Sequence, residues 1–317
     1  MKRILITGGA GFIGSSLADE LQKNSVNQIV LVDNLLTGKE KNIPHKENVT
    51  FIKADVNEYG AMEKIMLRNK FDYVFHYAAV VGVQRTLDNP IMVLQDIDGI
   101  KNVLELCRKT GVQRVFFSSS SEVYGEPVNT PQHEETTPLN SRLPYAVVKN
   151  LGESFCRAYH QAFGLDYTIF RFFNTYGEKQ SDDFVISKFI RAALEDRDIT
   201  IYGDGSQSRT FCYIEDNVEF TRKILEENLC INEVVNVGND QQYSIAELAE
   251  IIVRVTNSTS KIVYLPPLKE GDMTRRQPDI SKMRSIIKRD LLPLEEGLKR
   301  ILKSWRVPQA KPEYELS

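Results

Sequence analysis

Cysteine, histidine and tryptophan are scarce in this 317-residue chain, which holds 4, 4 and 1 of them. Cys107, Cys156, Cys212 and Cys230 are widely spaced and form no CxxC pair. That spacing speaks against a thiolate metal site, a redox pair or a disulfide scaffold, and reduced thiols are expected. His45, His76, His133 and His160 make no HxxxH or HExxH pattern, so no metal is expected either. An excess of positive charge is also missing. The 40 Lys+Arg face 43 Asp+Glu, giving a net charge of −3, and a generally basic nucleic-acid binder is excluded. No apolar run reaches the roughly 18 residues of a membrane helix. The opening residues lack the charged, apolar and cleavage regions of a secretory signal, so a cytoplasmic location is expected.

The first half of the chain alternates short apolar runs with helical patterns. Apolar runs lie at Arg3 to Thr7, Gln28 to Val32, Thr50 to Ala54, Tyr73 to His76, Arg114 to Ser118 and Tyr167 to Phe172. Between them, Phe12 to Lys23, Val93 to Lys109 and Tyr145 to Phe163 read as helices. Such alternation predicts a parallel sheet covered on both faces. After about Asn174 the rhythm changes. A strand at Ile199 to Tyr202 precedes a glycine-rich turn, Val234 to Gly238 reads as a buried strand, and Ser244 with Glu247 forms a capping box. Pro266-Pro267 and Gly271-Asp272 mark a long loop. The fold class predicted is α/β: a Rossmann-type, doubly wound parallel sheet with a smaller C-terminal α/β domain. The expected boundaries are 1–175 for the dinucleotide domain, with a return segment near 211–238, and 176–317 for the substrate domain.

The strongest local signal is Gly8-Gly9-Ala10-Gly11-Phe12-Ile13-Gly14, between the first strand and the first helix. Gly8, Gly11 and Gly14 allow a tight turn and close approach of a pyrophosphate to a helix N-terminus. Asp33 ends the second strand, where a carboxylate accepts from both ribose hydroxyls and repels a 2′-phosphate. NAD is therefore expected rather than NADP. Asp55 ends the third apolar run and is placed near the adenine, with a helix N-cap as its other reading.

A second constellation is Ser118-Ser119-Ser120-Ser121-Glu122-Val123-Tyr124-Gly125 followed by Tyr145-Ala146-Val147-Val148-Lys149. Tyr145 and Lys149, four apart on a helix, share one face. An ammonium beside a phenol lowers the phenol's pKa and makes a general base near neutral pH. A strand-end serine can share the proton of a substrate alcohol.

With these residues the chain resembles the extended short-chain dehydrogenase/reductase family over nearly its whole length. The segments that carry the likeness are TGGAGFIG, Asp33-Asn34, HYAA at His76 to Ala79, SSSSEVYG, YAVVK, RFFNTYG and GDGSQSRTFCYIED. More narrowly it resembles the branch acting on nucleoside-diphosphate sugars: 4-epimerases, dehydratases and UDP-glucuronate decarboxylases. The resemblance implies Ser120, Tyr145 and Lys149 as catalytic residues. It implies NAD held by Gly8, Gly11, Phe12, Ile13, Gly14, Asp33, Asn34, Asp55, Val56, Ala78, Ala79, Tyr145 and Lys149. It further implies a transient 4-keto sugar, with hydride taken by NAD and later returned. Substrate contacts carried over are Ser120, Ser121, Asn174, Arg209 for phosphate, and a second phosphate arginine that is either Arg275 or Arg276. The family commonly dimerises through a four-helix bundle, and apolar stripes such as Val103, Leu104, Leu106 and Leu151, Phe155, Tyr159 suit one; a homodimer is expected.

The residue before Val123-Tyr124 separates the reactions. Simple 4-epimerases of this branch usually carry a small residue there, whereas Glu122 is a candidate base for the acidified C5 proton of a 4-keto sugar. Dehydration is therefore ranked first, 4-epimerisation second and decarboxylation third. Three departures accompany this. Ser121 stands where 4,6-dehydratases usually place an aspartic acid. Ala79 to Gln84 lacks the decarboxylases' Ser-Pro-rich segment. Asp98 occupies the place of the family's usual helical asparagine. Other function classes are a dehydrogenase of a non-nucleotide substrate and a non-catalytic NAD sensor. The complete Ser120, Tyr145, Lys149 set argues against the sensor.

Overall fold

A computed structural model describes residues 1–267 and 275–306. The first half runs β1 (Arg3–Thr7), α1 (Phe12–Leu21), β2 (Gln28–Asp33), β3 (Val49–Lys53), α2 (Tyr59–Asn69), β4 (Tyr73–His76), α3 (Val83–Asp88), α4 (Pro90–Thr110), β5 (Arg114–Ser120), α5 (Pro144–Phe163) and β6 (Asp166–Phe172). The rest adds β7 (Thr175–Tyr176), α6 (Val185–Leu194), β8 (Ile199–Tyr202), β9 (Ser208–Thr210), β10 (Cys212–Tyr213), α7 (Ile214–Glu226), β11 (Glu233–Val237), β12 (Gln242–Ser244), α8 (Ile245–Thr256), β13 (Ile262–Leu265), α9 (Ser281–Ile287) and α10 (Leu294–Arg306).

Seven strands form one sheet in the order β11-β6-β5-β4-β1-β2-β3, and every pairing is parallel. Parallel strands need crossover helices, which bury both faces of the sheet. On one face α1 and α7 supply Leu17, Leu21, Val218 and Ile224. On the other, α2, α4 and α5 supply Met62, Ile65, Val103, Leu106, Val148 and Cys156. The long helices α4 and α5 both start on proline and stop at glycines in the left-handed region, Gly111 and Gly164. The strand order reverses beside β1, which opens a crevice at the carboxyl ends of β1 and β4.

The later elements pair in three small sheets, β10 with β7, β12 with β9 and β13 with β8. Their apolar residues (Phe189, Leu248, Leu298) belong to the same cluster as Phe75 and Phe170 of the main sheet. The Ser244–Glu247 capping box starts α8. Several details differ from the expectations above. Within 211–238 only β11 pairs with the main sheet, because β10 pairs with β7 instead. Asp55 lies beyond β3, which ends at Lys53. Val103, Leu104 and Leu106 are all buried inside the chain, so they leave no free stripe for a partner. The loop expected at Gly271-Asp272 lies outside the described residues.

The four cysteines are free. Among the described residues no helix is long and apolar enough to cross a membrane, and no group of three or more His, Cys, Asp and Glu is placed to hold a metal.

Candidate active site

One cleft of about 950 Å³ opens over the carboxyl ends of the strands. It is lined by Gly8, Gly11 to Gly14, Asp33, Asn34, Asp55, Val56, Ala78 and Ala79 at one end. Ser120, Ser121, Glu122, Tyr145, Lys149, Asn174 and Arg276 line the other. Of the sequence-predicted site residues, only Arg209 and Arg275 lie outside its lining. Arg209 is buried on β9, with its guanidinium donating to the Ser208 carbonyl at 2.8 Å. Arg275 is exposed and bridges to Ser208. Of the two candidate arginines, Arg276 is therefore the one that reaches the cleft.

The dinucleotide end is shaped by missing side chains. Gly8 has φ +69°, and a Cβ there would stand 2.8 Å from the Ala78 amide nitrogen. A Cβ on Gly14 would stand 2.4 Å from the Gly8 carbonyl oxygen. Gly11 caps α1 without a side-chain bond, so the first amides of that helix keep their donors for a ligand. Asp33 is buried at the end of β2, where its carboxylate accepts from Ala10 N at 3.0 Å and Leu35 N at 2.8 Å. Those two bonds fix its orientation and leave lone pairs for ribose hydroxyls. Asn34 donates to Asp55 at 2.9 Å, which joins the ends of β2 and β3. The cradle and the carboxylate together fit NAD.

The reacting end is built on β5, the turn after it, and α5. Ser120 Oγ accepts from the Glu122 amide at 3.2 Å and is hydrogen-bonded to the Tyr145 phenol. Lys149 is buried, donates to Ser118 Oγ at 3.3 Å, and lies 5.7 Å from the Tyr145 ring centroid. Burial lowers the Lys149 ammonium to about 8, and Asp96 works against that. Tyr145 departs from the expectation of a lowered pKa. Burial raises it, the Glu122 carboxylate adds to the rise, and the Ser120 hydrogen bond and Arg276 oppose it. Burial is the larger cause, and the negative charge of Glu122 acts in the same direction. His76 is neutral: burial, with Lys149 adding, lowers it to about 3, and its Nδ1 lies 2.9 Å from Thr7 Oγ1.

Glu122 has a partner that its sequence position did not announce. Its Oε1 lies 2.6 Å from Arg276 Nη2, and both side chains are largely buried. Its other oxygen, and Arg276 Nε, are buried without hydrogen-bond partners among the described residues. Asn174 has φ +32° and donates to the Thr210 carbonyl at 3.0 Å, which holds its backbone at the cleft wall.

Asp98 does not reach the site. It is exposed and pairs with Lys101 at 3.8 Å. The carboxylate that α4 delivers to the cleft is Asp96, which accepts from Val80 N at 2.8 Å. Residues two apart on a helix lie on opposite sides, so a shift of two positions exchanges an outward group for an inward one. A second set missed from the sequence is the buried pair Arg171–Glu153, at 2.7 Å, with Ser119 donating to Glu153 at 2.7 Å. The spacing Tyr145, Lys149, Glu153 places all three on one stripe of α5, and that was the available signal.

The family model for the NAD dependent epimerase/dehydratase family matches residues 4–238. A UDP-N-acetyl-alpha-D-glucosaminuronate decarboxylase of Bacillus cytotoxicus is 38% identical, with 96% of this chain and 98% of that protein covered. A UDP-glucose 4-epimerase of Thermotoga maritima, solved with UDP-glucose, is 32% identical with a TM-score of 0.90, covering 96% of this chain and 98% of that one. A dTDP-glucose 4,6-dehydratase of Streptomyces venezuelae, solved with NAD bound, is 26% identical with a TM-score of 0.89, covering 96% and 97%. A Rossmann crevice that fits NAD, a Ser-Tyr-Lys set at its end and these likenesses lead to one conclusion: this chain is an enzyme of the NAD-dependent epimerase/dehydratase family.

Proposed function

We propose that the protein decarboxylates a nucleoside-diphosphate uronic acid, most simply a UDP-linked one, through a transient 4-keto sugar. The observation that carries this is the Arg276–Glu122 pair beside Ser120 and Tyr145. A neutral sugar offers no counter-charge to a guanidinium at the reacting centre. A sugar carboxylate does, and Arg276 lines the cleft with a planar fork that can take a second carboxylate beside Glu122.

NAD, when bound, supplies the acceptor for the C4 hydride and its return. Ser120 and Tyr145 take up and give back the proton of the C4 hydroxyl, and Lys149 holds positive charge close by. Once C4 is a ketone, a carboxylate on C5 is that of a β-keto acid. The C5–C6 bond then breaks, carbon dioxide leaves, and the electron pair passes to the C4 oxygen, which Ser120 and Tyr145 stabilise by hydrogen bonding. C5 takes a proton from a water molecule before C4 is reduced. This route needs neither a C5 base nor an acid for a leaving hydroxyl. Dehydration needs both, and Ser121 supplies no carboxylic acid while Glu122 is engaged by Arg276. In this reading residues 1–175 with the returning β11 carry the cofactor, and 176–317 close over the nucleotide sugar.

The test is incubation with UDP-glucuronate, UDP-N-acetylglucosaminuronate, UDP-glucose and UDP-N-acetylglucosamine without added reductant. Loss of carbon dioxide from a uronate is expected, with no net NADH, and Arg276→Ala should lower kcat/KM by about 100-fold. Loss of water from a neutral UDP-sugar, or its 4-epimerisation at a higher rate, would overturn the proposal.

A further inference from the structure

Arg276 lies on a segment that is not itself part of a helix or strand. A buried hydrogen-bond chain that starts beneath Ser120 reaches the backbone beside Arg276. Ser119 on β5, Arg171 on β6 and Asn236 on β11 are in register across three neighbouring strands, so their side chains leave the sheet on the same face. Ser119 donates to Glu153, and Glu153 accepts both arms of Arg171 at 2.8 and 2.7 Å. Arg171 Nη1 donates to Tyr124 Oη at 2.9 Å, and Tyr124 donates to Asn236 Oδ1 at 2.8 Å. The chain then leaves the sheet. Asn236 Nδ2 donates to the carbonyls of Gln132, at 2.8 Å, and Asp279, at 3.2 Å.

Those two carbonyls sit on the two partners of a short parallel bridge. Gln132 N donates to the Gln277 carbonyl at 2.7 Å, and Asp279 N donates to the Gln132 carbonyl at 2.8 Å. Gln277 is the residue next to Arg276. On its other side, Arg275 bridges to Ser208. Ser119, Tyr124, Arg171, Glu153, Gln132 and Asn236 are all at most 2% exposed. The carboxamide of Asn236 uses both donors and one of the two acceptor positions of Oδ1, so its side chain is committed to these three partners.

We propose that Asn236 is a positioning residue for Arg276: it clamps the 277–279 backbone to the strand row that also holds the Ser120–Tyr124 turn, so that the guanidinium and Glu122 meet at a fixed distance. The inference rests on Arg276 meeting the substrate, as proposed above. It does not depend on which part of the substrate Arg276 reads.

The test uses the full-length, NAD-loaded protein, with Arg276→Ala as the standard. Binding of UDP and of UDP-glucuronate is measured by calorimetry for Asn236→Ala, Arg276→Ala and the double variant. Asn236→Ala is expected to weaken the same ligand that Arg276→Ala weakens, by about tenfold, and to add less than about twofold in the Arg276→Ala background. Hydrogen exchange without substrate should quicken in peptides over 130–134 and 275–280 and stay unchanged over the glycine loop at 8–14. Equal losses in both backgrounds, or exchange at 275–280 left as in the parent, would overturn the proposal. Tyr124→Phe keeps the packing and removes only the hydroxyl; if Asn236→Ala fails to fold, the same criteria are applied to it, with smaller effects expected. If Arg276→Ala weakens UDP and UDP-glucuronate alike, the uronate reading falls, while Asn236 is still judged by whether it follows that pattern.

Discussion

Lys149 is a cation placed where its charge is disfavoured. Burial lowers it to about 8 from 10.5, and the opposing charge that faces it is Asp96 on α4; His76 on β4 is neutral. The folded state thus releases this proton more easily than the unfolded chain. Below about pH 8 both states hold the proton and the full penalty of a buried ammonium is present. Between about 8 and 10.5 the unfolded chain binds more protons, so this group makes stability rise with pH. Lys149→Met is therefore expected to lose turnover yet gain roughly 1–3 kcal/mol at neutral pH in urea unfolding, a gain that fades toward pH 10. A destabilised Lys149→Met would mean that the Ser118 bond outweighs desolvation. Activity that needs the charged ammonium falls as pH rises through about 8. Asp96→Asn removes the supporting charge and is expected to move that alkaline limb to lower pH in a kcat/KM profile.

At the scale of elements, the sheet was legible because its strands are continuous apolar runs separated by capped helices, and the family segments lie at their ends. What escaped was set by phase and by contacts between distant segments. Asp98 stands at the place read as the family's asparagine, but one α4 turn has carboxylates on both sides, and it is Asp96 that faces in and accepts from Val80 N. The Arg276–Glu122 pair joins residues 154 positions apart in the chain, and nothing local in either segment announces it. Arg209 looks the same in sequence as a phosphate ligand but lies outside the cleft lining. The glycines of the helices show the same limit. Gly14 and Gly60 both open helices, α1 and α2, yet a Cβ at Gly14 would stand 2.4 Å from the Gly8 carbonyl, and one at Gly60 meets nothing within 4 Å. Gly14→Ala is expected to displace the α1 N-terminus and weaken NAD binding by at least about tenfold in a fluorescence titration. Gly60→Ala should leave NAD affinity unchanged and raise stability by up to about 1 kcal/mol. Equal NAD affinity in the two variants would remove the close-approach argument for the glycine loop.

For the whole molecule, the catalytic helix has two working faces. Tyr145, Lys149 and Glu153 recur every four residues and point to the cleft and the buried network. Val147 and Leu151, offset by two, point the other way and are 45% and 36% exposed. On α4, which packs against α5, Ile91 and Leu94 are 70% and 39% exposed. Exposed apolar side chains on two packed helices are what a partner could cover. A second copy presenting the same patch across a two-fold axis would close four helices into a bundle. The expected species at micromolar concentration is a homodimer by light scattering. Because such a bundle would be built on the helix that carries Tyr145 and Lys149, Leu151→Glu with Val147→Glu should yield a folded monomer whose turnover is reduced. That loss should persist at saturating NAD, because the glycine loop lies on α1, away from the bundle. A parent protein that scatters as a monomer would refute the dimer. A monomeric double variant with full turnover would show that α5 holds Tyr145 and Lys149 without help from a partner.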